Sequence, residues 1–106
     1  KLKGIEKKYL RGLAHGLKPV VFVGHKGITP ELLKAADEAL ATHELIKVKF
    51  IDFREKSPKE KIAGAIEKET ASQQVGMIGH TAIYYRRQKD PEKRKILLPA
   101  QGRTEE

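Results

Sequence analysis

Apolar positions recur along this chain in two periods, and the switches between them mark out its elements. Leu2, Ile5, Tyr9, Leu10, Leu13 and Leu17 fall at helical spacing; Gly16 is placed to end that helix and Pro19 to bar its continuation. Val20-Val21-Phe22-Val23 reads as a short buried strand. Thr29-Pro30-Glu31 supplies a hydroxyl N-cap, a proline at the first helical position and an acid in the first turn. A second helix therefore starts there and ends near His43, with Leu32, Leu33, Ala36, Ala39 and Leu40 inward. From Leu45 to Ile51 the period drops to two, which puts Ile46, Val48 and Phe50 on one face and Lys47 and Lys49 on the other.

Ser57-Pro58-Lys59-Glu60 has the form of a capping box, so a third helix is expected to about Ser72, with Ile62, Ala63, Ile66 and Thr70 inward. Val75 to Ile78 and Thr81 to Arg87 predict two more strands, and Gly79-His80 between them predicts a hairpin. Asp90-Pro91 turns the chain, "KILLP" offers a short edge strand, and residues 100–106 read as a flexible tail behind a single domain of residues 1–99. The order α-β-α-β-α-β-β contains two strand–helix–strand crossovers and then a hairpin. It predicts an α/β fold, a two-layer sandwich with a mixed four-stranded sheet.

Composition narrows the function classes. Only 39% of residues are apolar and 34% are charged, so the core is thin and the surface polar. Cysteine is absent, which removes disulfides, thiolate metal sites and a cysteine nucleophile. No run approaches the roughly 20 apolar residues of a membrane span and no signal-peptide pattern opens the chain, so a cytoplasmic protein is expected. The opening at Lys1, without methionine, suggests a trimmed or partial chain. The net charge of +8, from 22 Lys+Arg against 14 Asp+Glu, favours an anionic partner, with nucleic acid first and an acidic membrane surface second.

That charge is sorted by element. Residues 1–11 carry +4, residues 12–28 carry +2 through Lys18 and Lys26, and residues 80–95 carry +4, six basic side chains less Asp90 and Glu92. Residues 29–44 sum to −3, Lys34 against Glu31, Asp37, Glu38 and Glu44.

Gly24-His25-Lys26-Gly27 lies between the first strand and the second helix. Alone, a Gly-x-x-Gly spacing means little, since nine glycines give about 0.7 of them by chance, and Gly76-Met77-Ile78-Gly79 is a second, placed to serve the hairpin backbone. The dinucleotide and P-loop fingerprints are missing. Position gives the first loop its interest. Amides freed by small residues can approach a phosphate, the helix N-terminus favours the negative charge, and Lys26 adds a full positive one. In K-homology domains a Gly-x-x-Gly loop clamps an RNA backbone, but there it joins two helices. The competing reading is a plain strand-to-helix turn.

The stretches "LRGLAHGLKPVVFVGHKGITPELL", "ALATHELIKVKF" and "GHTAIYYR…KILLP", in this order, resemble the YhbY family, the free-standing bacterial form of the CRM domain. The likeness runs from about Leu2 to Pro99. It implies an RNA-binding domain of the same element order, similar in fold to the C-terminal domain of translation initiation factor three. It also implies association with ribosomal RNA in precursors of the large ribosomal subunit, and hence a role in ribosome biogenesis. The family's RNA-contact loop maps onto Gly24, His25, Lys26 and Gly27, with His25 where many members carry lysine. That exchange lowers the fixed charge near neutral pH and keeps a donor.

Further RNA-binding candidates are Lys47 and Lys49 on their shared sheet face, Lys18, and Arg86 and Arg87 at the head of a basic stretch with Lys89, Lys93, Arg94 and Lys95. For each the alternative is a solvated charge that guards a strand or a loop. Tyr9, Phe22, Phe50, Phe53, Tyr84 and Tyr85 mostly hold core-facing positions, and alternation exposes one of Tyr84 and Tyr85 as a minor stacking candidate. RNA is thus expected to be recognised by shape and backbone. His15, His25, His43 and His80 show no metal-ligand spacing, so no metal, no cofactor and no enzymatic activity are expected. A monomer is expected, with RNA as its partner, ribosomal proteins as further ones, and no membrane. The reading kept beside this is a protein-interaction module that uses the acidic second helix.

Overall fold

A computed structural model describes residues 2–51 and 56–99, the side chains of 56 and 57 excepted. Along the chain run α1 (Gly4–Ala14), β1 (Val21–Val23), α2 (Pro30–His43), β2 (Leu45–Phe50), α3 (Lys56–Thr70), β3 (Gln73–Ile78) and β4 (Thr81–Tyr85), and a single 3-10 turn spans Pro91–Lys93. The order and the hairpin agree with the sequence pattern. The tail expected at 100–106 and the aromatic Phe53 lie outside the described residues.

The sheet order is β1-β2-β4-β3. β1 and β2 are parallel, joined through α2, while β4 returns antiparallel between β2 and β3. The second crossover, through α3, must therefore leave one strand position open for the hairpin to fill. Gly79, at φ 60, makes the tight link that sequence assigned to it. A register shift between Gln74 and Gly76 kinks β3 where Arg11 crosses it.

Helices cover both faces, so the sandwich has a further layer beyond the two expected. α2 and α3 enclose Val21, Val23, Ile46, Val48, Phe50, Ala82 and Tyr84 with Leu32, Ala36, Leu40, Ala63 and Ile66. On the other face α1 lies over β2, β3 and β4, and Leu10, Ala14, Leu45, Val75, Ile83, Tyr85 and Leu98 form a second, smaller cluster. This second cover buries Tyr85 as well as Tyr84, against the expectation that one of them faces solvent.

Three more expectations fail for identifiable reasons. Of the apolar positions expected at the first helix, Leu10 is buried and Leu2 packs beside it, but Ile5, Tyr9 and Leu13 are exposed; Glu6 and Ala14 are buried with Leu10 instead, the Glu6 carboxylate accepting the Lys3 N–H at 2.8 Å. Tyr9, Leu13 and Leu17 line a surface groove of about 550 Å³ with Val20, Ile96 and Leu97. "KILLP" forms no strand, because the N–H groups of Lys95 and Ile96 are held by the Glu44 carboxylate rather than by a ladder. Ser57 lies inside α3, not ahead of it; Pro58 sits in the first turn, where no i−4 acceptor is owed.

Candidate nucleic-acid interface

The loop after β1 is a closed turn. Gly27 N–H donates to Gly24 O at 3.0 Å, and Gly27 adopts φ 69, a conformation that suits glycine. A β-carbon at Gly27 would also lie 3.6 Å from Ile62 Cδ1, so the turn rests on α3. At Gly24 a β-carbon would meet nothing within 4 Å, so no contact inside the chain demands glycine there. His25 and Lys26 project from the turn, both exposed.

The α2 N-terminus behind the loop is more occupied than the sequence implies. Pro30 has no N–H, Thr29 Oγ1 accepts the Leu32 N–H at 3.0 Å, and Thr29 O accepts that of Leu33 at 3.1 Å. This helix end therefore offers an anion fewer free donors than a bare first turn would, with the Lys26 ammonium exposed nearby in the chain.

Strand directions place the C-terminal ends of β1 and β2 and the β3–β4 turn at one end of the sheet. There Phe50 N–H donates to His80 O at 2.7 Å, and Lys59 Nζ, on a largely buried side chain, sits 2.9 Å from His80 Nδ1. Lys49 belongs to this end. It is exposed on the face that α2 and α3 do not cover, in register with Phe22 of β1 and Thr81 of β4. Lys47, one pleat back, donates to Leu17 O at 3.0 Å and so steadies the link from α1 to β1.

The other candidates lie at the far end, about 17 Å away along β2. Lys18 precedes β1, and Arg86 and Arg87 follow β4 beside the start of β2. Arg86 is committed to structure: its guanidinium donates to Asp37 Oδ1 at 2.6 Å, Asp37 O at 3.0 Å and Thr70 O at 2.8 Å. Arg87 and Lys18 remain exposed. The fold thus places Gly24–Gly27 and Lys49 at one end of the sheet, and Lys18, Arg86 and Arg87 at the other. The acidic surface of α2 is smaller than its sequence suggests, because Glu44 is buried and Asp37 is bound by Arg86.

Sequence reasoning missed Phe22. Val21 and Val23 point into the core, so Phe22 takes the opposite face and is 53% exposed. The signal was the strand period itself, hidden by reading four apolar residues as one buried run. Among the described residues, no group of three His, Asp or Glu side chains could hold a metal ion, and no helix is long and apolar enough to cross a membrane.

The fold is an α/β domain with three helices and a mixed four-stranded sheet, in which a Gly-x-x-Gly turn leads from the edge strand into α2. Residues 2–86 match the CRS1/YhbY (CRM) domain, and the chain belongs to that family. It is 44% identical over 94 residues to a Haemophilus influenzae protein named "RNA-binding protein", with 89% of this chain and 91% of that one aligned. It is 39% identical over 98 residues to the Bacillus subtilis "Probable RNA-binding protein YqeI", covering 92% and 99% of the two chains. The solution structure of SAV1595 from Staphylococcus aureus superposes with a TM-score of 0.78 at 33% identity, over 93% of this chain and all of that one.

Proposed function

We propose that this chain is a cytoplasmic RNA-binding protein that engages ribosomal RNA in precursors of the large ribosomal subunit during assembly. The observation that carries the reading is the pairing of an exposed Lys26, in a glycine turn at a helix N-terminus, with an exposed Lys49 at the same end of the sheet. Two exposed cations and a glycine turn at one end of the sheet are suited to a sugar–phosphate backbone. The excess positive charge supplies affinity without sequence preference, and the relatives named for RNA binding supply the nucleic acid's class.

The test is fluorescence anisotropy on a large-subunit ribosomal RNA fragment across a salt series, wild type beside Lys26→Ala. The reading expects the variant to bind about fivefold or more weakly, with a log–log salt slope shallower by about 0.7–0.9. Superimposed curves would make the loop only a turn and move the contact to the Arg87 end of the sheet.

A further inference from the structure

Phe22 is the one aromatic ring more than half exposed among the described residues. Its two strand neighbours are in the core, and its own ring faces away from α2 and α3, 53% exposed. A side chain of this size left about half in water forgoes much of the stabilisation that its burial would give. The folded chain gains little from a phenylalanine here, so the ring suits contact with something outside it.

Its surroundings specify the chemistry. Pairing sets Phe22 beside Lys49, Lys49 beside Thr81 and Thr81 beside Ile78, one row across all four strands. The row spans about 14 Å at the usual strand spacing. At its ends are exposed apolar side chains, Phe22 and Ile78; between them are an exposed ammonium and a half-buried threonine. Lys47 lies on the same face, and Gly24 follows Phe22 by two residues, about 7 Å along the strand. An aromatic side chain with a lysine paired beside it, two residues from a glycine turn, is complementary to a planar group carried on an anionic chain.

We infer that Phe22 is a base-stacking platform: an unpaired nucleobase of RNA lies on its ring, Lys49 meets the flanking phosphate on the sheet, and the Gly24–Gly27 turn holds the next one. The inference rests on the RNA-binding reading above and adds the class of RNA. Bases inside a duplex are stacked on one another and cannot reach a side chain on an open sheet, so the platform selects a single-stranded loop, bulge or end. The charge of the face disfavours a basic or purely apolar protein partner.

The chain contains no tryptophan, so Phe22→Trp installs a single indole reporter on the row. Titration with a single-stranded oligoribonucleotide should quench and shift its emission. A hairpin duplex with the same number of phosphates should leave it nearly unchanged. In anisotropy, Phe22→Ala should weaken single-strand binding by about tenfold, Phe22→Leu should be no better, and Phe22→Tyr should restore it. The salt slope should stay at the wild-type value in all three, because stacking releases no counterions, whereas Lys26→Ala lowers it. Melting temperatures close to wild type should accompany these changes, since the ring packs little of the core.

If Phe22→Ala binds single strands as wild type does while Lys26→Ala is weakened, the platform is wrong and the RNA-binding reading stands. If Phe22→Leu binds as wild type does, an apolar side chain of any shape suffices there, and stacking is again overturned. If the wild type binds neither RNA, both readings fall together.

Discussion

The Glu44 carboxylate accepts the backbone N–H of Lys95 at 2.7 Å, tying the end of α2 to a segment 51 residues further along. The same oxygen takes the Ile96 N–H at 3.1 Å, and its partner oxygen takes the Gln88 N–H at 2.8 Å. Glu44 is almost fully buried, and its backbone carbonyl accepts the Arg86 N–H at 2.8 Å. A buried carboxylate with three amide donors replaces a strand ladder as the fastening of the last described segment. Replacing it by alanine strands those amides, so Glu44→Ala should cost about 3 kcal/mol or more in urea unfolding. Hydrogen exchange at Lys95 and Ile96 should speed up together. A loss below about 1 kcal/mol would show that Leu98 packing alone holds the segment.

Gly76 serves a close crossing. A β-carbon there would lie 2.8 Å from Arg11 Cδ and 3.3 Å from Cγ, while the Arg11 guanidinium donates to Val75 O at 2.9 Å. The methylenes cannot withdraw without breaking that bond, so Gly76→Ala should destabilise by about 1–2 kcal/mol. In an Arg11→Ala background the added methyl is left with Ile83 Cδ1 at 3.8 Å, an ordinary contact, and the same substitution should then cost much less. The coupling in a thermal double-mutant cycle checks this; additive losses would place the strain elsewhere in β3.

What sequence could and could not show follows from which interactions are local. The α2 start at Thr29–Pro30 and the β2 alternation around Lys47 and Lys49 were legible because cap chemistry and strand period act over a few residues. The Gly79 turn was legible for the same reason. The fate of Tyr85, the bare stripe of Ile5, Tyr9 and Leu13, and the carboxylate of Glu44 were not, because each depends on where α1 and the last segment come to rest. The split of the candidate site was hidden likewise. Only the antiparallel return of β4 puts Arg86 and Arg87 opposite the glycine turn, and only the fold pairs Arg86 with an acid on α2.

That pairing separates stability from binding. Asp37 is 58% exposed, so its ion pair with Arg86 is worth less than about 1 kcal/mol. The Arg86 bonds to Asp37 O and Thr70 O bridge the middle of α2 and the end of α3 and are lost only with the arginine. Arg86→Ala should therefore lower stability by about 1–2 kcal/mol and Asp37→Ala by clearly less. With RNA, Arg86→Ala should keep most of its affinity once folded, whereas Arg87→Ala should lower the salt slope if RNA extends to that end of the sheet. Equal stability losses from Arg86→Ala and Asp37→Ala would mean that the carbonyl contacts contribute nothing.

Tyr84 sets an alkaline limit on the fold. Its hydroxyl donates to Ala63 O at 2.8 Å inside the core between the sheet and α3; burial first, and the charge of Glu67 second, push its pKa well above the ordinary 10.0. The Tyr85 hydroxyl is pushed up too, by burial and then by Glu44. A folded pKa above the unfolded one means that the native state binds the proton more tightly. The stabilisation is then complete below about pH 10 and is lost as pH rises towards the folded value, by up to about 1.4 kcal/mol per pH unit for each phenol. Melting temperature should thus hold steady through neutral pH and fall steeply beyond 10. Tyr84→Phe should start about 1 kcal/mol less stable at pH 7, having lost the Ala63 bond, yet decline more gently in alkali, so that the two curves converge. Lysine deprotonation affects both proteins alike and cancels in the comparison. Parallel curves would show that the Tyr84 phenol titrates no differently when the chain is folded.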